Sequence, residues 1–105
     1  KQPSRLYSPP PAITELSAEL NALGLPIVSF DCPTPNTRCN VFRLTEECTL
    51  IQTVQGGSGK ISITDFNAVK GQENRYFVVV ENPLALSNGQ PLSSAASKRV
   101  SIFVP

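Results

Sequence analysis

The run Arg75-Tyr76-Phe77-Val78-Val79-Val80-Glu81 constrains the chain more than any other stretch. It is the most continuous block of β-branched and aromatic side chains, closed by Asn74 on one side and Asn82-Pro83 on the other. Apolar on both pleat faces, it predicts a central strand covered on two sides rather than an edge strand. Each of its five apolar residues contributes roughly 1.5–3 kcal/mol when buried.

The remaining segments arrange themselves as shorter strands around this one. Ile13 to Leu20 alternates, with Leu16, Ala18 and Leu20 on one face and Glu15, Ser17 and Glu19 on the other, which predicts a first edge strand. Ile27 to Cys32 predicts a second strand, Cys39 to Leu44 a third, Thr49 to Gln55 a fourth and Ile61 to Thr64 a fifth. After the central strand, residues 83–96 read as a long polar loop, in which Asn88-Gly89 is either a turn or the tip of a local hairpin. Lys98 to Val104 closes the set. Seven short strands separated by Gly, Pro and Asn, with no convincing helix, describe an all-β sandwich. A length of 105 residues allows one domain with a single modest core.

Composition narrows the function. Nine Lys and Arg against eight Asp and Glu leave no field that favours a nucleic acid or an anionic membrane. No window approaches the ~20 apolar residues needed to cross a bilayer. Histidine is absent, which removes the commonest general base and metal ligand and weighs against an enzyme. Residues 1–11, ending in three prolines, read as an extended tether, with the domain proper over 12–105.

Three cysteines are an odd count. Either all are reduced and act as small hydrophobes, or one bridge forms in an oxidising compartment. The bridge is favoured between Cys32 and Cys39, which bracket the Pro-rich loop 33–38. Cys48 is too far along the third strand to reach Cys39 easily; of a buried thiol, an exposed thiol and an intermolecular bridge, the buried thiol is expected.

Several segments, taken in order, carry a resemblance. Pro11-Ala12-Ile13-Thr14-Glu15-Leu16-Ser17-Ala18 has a proline followed by a Leu-x-Ala step, and Val28-Ser29-Phe30-Asp31 stands where Val-x-Trp is usual. Asn40-Val41-Phe42-Arg43, Thr49 to Val54, Ile63-Thr64-Asp65 and Tyr76-Phe77-Val78-Val79-Val80-Glu81-Asn82 follow at matching spacing. Together they resemble a fibronectin type III domain of the kind found in bacterial surface and envelope proteins, over about residues 11–104. The resemblance implies a seven-stranded immunoglobulin-like β-sandwich, with Phe30 in place of the core Trp; with Asn82 as the aligned anchor, either Asn74 occupies the place of the tyrosine corner or Tyr76 supplies that corner through a shortened connection. Lys1-x-Pro3 with Leu6-Tyr7-x-Pro9-Pro10-Pro11 also resembles the stretch after the lipidated cysteine of some Gram-negative lipoproteins. That implies a lipid anchor upstream of Lys1 as the only membrane contact.

No catalytic constellation emerges. Glu46-Glu47 diverge on a turn, Gly56-Gly57-Ser58-Gly59-Lys60 lacks the spacing of a phosphate loop, and no serine has a histidine partner. Three thiols without the usual paired spacing do not build a metal site, so neither metal nor cofactor is expected. The loops 33–38 and 83–96 are expected at one end of the sandwich, with Pro33, Pro35, Arg38, Leu84, Leu86 and Leu92 as a partner interface. The expectation is a non-catalytic extracytoplasmic module that meets other proteins of an envelope or surface assembly, in the periplasm or at the cell surface. The alternative is an accessory spacer or carbohydrate-binding domain of a larger secreted enzyme.

Overall fold

A computed structural model describes residues 10–87 and 89–105, and for residues 85–87 and Pro91 the backbone alone. The tether residues 1–9, Asn88 and the Leu86 side chain lie outside that description. Eight strands form, and no helix is seen among the described residues: β1 (Leu16–Leu20), β2 (Pro26–Cys32), β3 (Arg38–Leu44), β4 (Cys48–Gln55), β5 (Gly59–Thr64), β6 (Gln72–Ser87), β7 (Gln90–Ser93) and β8 (Val100–Val104). They make two antiparallel sheets, one ordered β1-β2-β5 and the other β4-β3-β6-β7 with β8 also on β6.

Alternation along each strand decides what the sheets enclose. Val28, Phe30, Cys32 and Ile63 from the smaller sheet meet Cys39, Val41, Tyr76, Val78 and Val80 from the larger one in a single buried cluster. Two sheets sharing one core give the sandwich-like fold that the strand pattern leads one to expect. Ile13 joins this core and Pro10 is also buried, although the regular first strand starts only at Leu16.

The central strand is central, with β3 on one side and β7 and β8 on the other. It is not covered on two sides, however. Tyr76, Val78 and Val80 are 0–2% exposed, whereas Phe77 and Val79 on the opposite face are only half-buried, and no third layer lies over them among the described residues.

The count of eight, rather than seven, comes from residues 83–96. This segment is not a loop: β6 runs on to Ser87 and returns as β7, with Ser87 opposite Gln90 and Gly89 at a positive φ. Between β7 and β8 the ladder is interrupted, and two serine hydroxyls stand in for the missing carbonyls. Ser97 Oγ accepts the Val78 N–H at 2.8 Å and Ser94 Oγ accepts the Val80 N–H at 2.9 Å. The serine N–H groups return to the Val78 and Val80 carbonyls. Buried backbone groups thus stay paired where regular strand geometry lapses.

Asn74, fully buried, fixes the connection from β5 to β6. Its Oδ1 accepts the Val69 N–H at 2.9 Å, and its Nδ2 donates to the Val69 and Gln72 carbonyls at 2.8 and 3.1 Å.

Candidate functional site

One end of the sandwich is built around Cys32, the last residue of β2, and Cys39, the second of β3. The two are joined by a disulfide and are each 1% exposed. Because β2 and β3 belong to different sheets, the bridge ties one layer to the other. The five residues between β2 and β3 are held as firmly. Buried Thr37 donates its hydroxyl to the Thr34 carbonyl at 2.7 Å, and its own carbonyl accepts the Gly56 N–H at 2.8 Å. The Gly57 N–H reaches the Cys32 carbonyl at 2.8 Å. A Cβ at Gly56 would strike Thr37 Oγ1 and the Thr34 carbonyl, so glycine is required where these two connections cross.

Pro33 and Pro35 therefore sit exposed on a rigid support. Arg38, half-buried at the start of β3, pairs with Glu81 at 2.7 Å across to β6. Glu81 is also the last residue of β6 that β3 pairs, so the rest of β6 and β7 extend beyond it from the same end as residues 33–37. On that hairpin Leu84 is 79% exposed and Leu92 half-buried. The backbone around Leu84 is set by Asn82, whose Oδ1 accepts the Leu84 N–H at 3.0 Å. The structure thus places Pro33, Pro35, Arg38, Leu84 and Leu92 at one end.

A second constellation lies at the opposite end of the core. Asp65, just past β5, is 3% exposed and accepts from Arg43 Nη1 through both carboxylate oxygens at 2.8 Å. The Tyr76 hydroxyl donates to the same carboxylate at 2.7 Å, and the Asn67 N–H at 3.2 Å. Arg43 was not singled out in the sequence, yet its place two residues after inward-facing Val41 is the signal that it turns inward. With four hydrogen bonds from three donor groups on one carboxylate, little acceptor capacity remains for moving a proton. An open cleft of about 410 Å³ between β4 and β5 has this ion pair in its wall, and among the described residues Asp65 is its single carboxylate.

Burial pushes the Tyr76 hydroxyl far above its ordinary value, the hydrogen bond to Asp65 and the negative charge there push further, and Arg43 opposes them. A group whose pKa is raised by folding stabilises the native state fully below the unfolded value of about 10 and loses that contribution as pH rises. Stability should therefore fall by about 1.4 kcal/mol between pH 9 and 11 from this residue. Urea denaturation of wild type and Tyr76→Phe checks it: the substitution should flatten the alkaline fall.

Cys48 corrects an expectation. It is exposed, not buried, because the first residue of β4 lies at the sheet's edge beside a turn, outside the core. Among the described residues no group of three or more His, Cys, Asp or Glu gathers as metal ligands would. The fold and this end define an all-β protein with a disulfide joining its two sheets. No family model and no curated protein matches the chain.

Proposed function

We propose that the chain is a fibronectin type III-like module that performs no catalysis and holds proteins together in an extracytoplasmic envelope or surface assembly. The strand order supports the family reading: β1-β2-β5 faces β4-β3-β6, and β7 with β8 count as one interrupted edge strand. The disulfide is compatible with an oxidising compartment. The observation that carries the binding role is Leu84, an apolar side chain 79% exposed on a hairpin that projects beside a stapled, proline-rich loop. Rigid support lowers the ordering cost of docking, and an exposed leucine supplies the apolar contact.

A photocrosslinking side chain in place of Leu84 should give a discrete adduct in the native envelope, and the same label in place of Ser17 should not. Equal, diffuse labelling from both positions would overturn the loop-end reading. Thiol counting on unreduced, denatured protein from the native source tests the compartment: one free thiol is expected, and three would remove it.

One observation favours the accessory-domain reading instead. Phe66, 73% exposed, stands at the rim of the cleft beside Gln52, Ser62 and Thr64, the pairing of an aromatic face with hydroxyls that a sugar ring uses. Retention on insoluble polysaccharide that is lost in Phe66→Ala would support it.

A further inference from the structure

The two outer faces of the sandwich are not alike. On the smaller sheet, Ser17, Ser29 and Ser62 stand in one row, with the Ser29 and Ser62 hydroxyls 2.9 Å apart. That is the wet face expected of an antiparallel sheet with one side in water. On the larger sheet the corresponding row is Leu50, Phe42 and Phe77, drawn from β4, β3 and β6. The Phe42 and Phe77 rings stack with centroids 5.1 Å apart, and Leu50 is 52% exposed at the end of the row. Leu44 and Val79 extend the apolar surface to either side. Both pleat faces of β6 therefore have the composition of a covered strand, and among the described residues one of them has no cover.

Two cations adjoin Phe77, at the other end of the row from Leu50. Arg99, set free of regular pairing by the interrupted ladder before β8, lies with its guanidinium 5.9 Å from the Phe77 ring centre. Arg75 is two residues before Phe77 on the same face, opposite Leu44 on one side and Ser101 on the other. Both are exposed, and neither is in an ion pair; among the described residues the ion pairs are Arg38–Glu81 and Arg43–Asp65. Of the acids on this face, Glu81 is engaged by Arg38, and Glu73, next beyond Arg75, does not bridge to it. An arginine laid on a ring keeps its planar fork open to a carboxylate.

We infer that the outer face of the five-stranded sheet docks a segment of a partner protein that carries carboxylates beside an apolar side chain. The apolar group covers Phe42, Phe77 and Leu50, and the carboxylates reach Arg75 and Arg99. A formal net charge of +1 gives no long-range field of the kind that holds nucleic acid or an anionic membrane, which favours a short peptide read at close range. This surface is separate from the loop end and does not depend on it.

The test is an amide-shift titration of the isotopically labelled chain with a capped Asp-Leu-Asp-Phe-Asp peptide, its Lys-for-Asp counterpart, and vesicles containing phosphatidylserine. The acidic peptide should shift residues 42–44, 75–79 and 99–101, and the lysine peptide should bind at least about tenfold more weakly. Arg75→Glu/Arg99→Glu should lose about tenfold or more while keeping a dispersed spectrum, because both side chains are exposed. Leu50→Ser should weaken binding, and Leu84→Ala should leave it unchanged. The inference falls if no saturable shift appears up to about 10 mM peptide. It also falls if shifts collect at residues 33–38 and 82–93 or in the Phe66 cleft, if the lysine peptide binds equally, or if only the vesicles shift these amides.

Discussion

Asp65→Ala should cost about 3–5 kcal/mol, the penalty for breaking a buried ion pair by removing one partner. The Arg43 side chain is 11% exposed and that of Asp65 3%, so the guanidinium left behind has little water to turn to. Tyr76, fully buried, loses the acceptor for its hydroxyl at the same stroke. Against a total of roughly 5–15 kcal/mol for a small domain, that is a large part of the margin. Thermal or urea denaturation should show a midpoint lowered by more than about 10 °C for a chain of this size. Asp65→Asn, which keeps the volume but removes the charge, should lose nearly as much. The double change Arg43→Met/Asp65→Leu should recover most of the loss, since apolar replacements leave no charge unpaired. A loss below about 1 kcal/mol in Asp65→Ala would mean that the pair is solvated.

The reason to expect so large an effect is positional. Asp65 follows β5 of the smaller sheet, whereas Arg43 and Tyr76 stand on β3 and β6 of the larger one. The cluster is therefore a polar tie between layers at one end, and the Cys32–Cys39 bridge is a covalent tie at the other. Apolar contacts between sheets are non-directional, so these two directional ties help fix how one layer sits on the other.

Strand patterning made the first five strands legible, because each turns apolar side chains toward the shared core, and the unbroken β-branched and aromatic run marked β6. Where burial does not set the pattern, the reading failed. Residues 90–93 carry a proline and one half-buried leucine, so their composition does not mark β7; the long-loop reading gives way to its alternative, a local hairpin, in which β6 overruns β3 and offers β7 a free edge. The serine-bridged gap before β8 is equally silent, since a hydroxyl replacing a carbonyl leaves no apolar signature. At the start the alternation of Leu16 and Ala18 holds, but regular pairing begins at Leu16 rather than Ile13, which enters the core ahead of the strand.

Among candidate sites, the stapled loop was readable because proline and cysteine each restrict the backbone in a known way. Arg43 was missed because an arginine on a strand is ordinarily solvated, and only the partner contributed from the other sheet makes the inward position tenable. The aromatic face of the larger sheet was hidden for a related reason. Phe42 and Phe77 read as core residues from composition alone, and only cross-strand register shows that they stack on the outside.

Removing the bridge with Cys32→Ala/Cys39→Ala should cost about 2–3 kcal/mol from unfolded-state entropy alone, since it closes a loop with a sequence separation of 7. Lost packing adds to this, because both sulfurs lie in the core cluster at 1% exposure. Equilibrium urea denaturation should show a lower midpoint, together with a larger m-value if the freed chain unfolds more completely. Reduction of wild type should reproduce the shift, whereas Cys48→Ser should leave the midpoint unchanged, because that thiol is exposed and unbridged. The functional consequence separates two roles of the bridge. If it only adds stability, the Leu84 crosslink survives in the double variant at temperatures where the fold is intact. If it also holds Pro33 and Pro35 in place beside the hairpin, amide exchange in residues 33–37 accelerates and crosslinking drops several-fold while the core stays protected. The second outcome is expected, because Thr37 and Gly56 lock this loop only while Cys32 and Cys39 keep its two ends at a fixed separation.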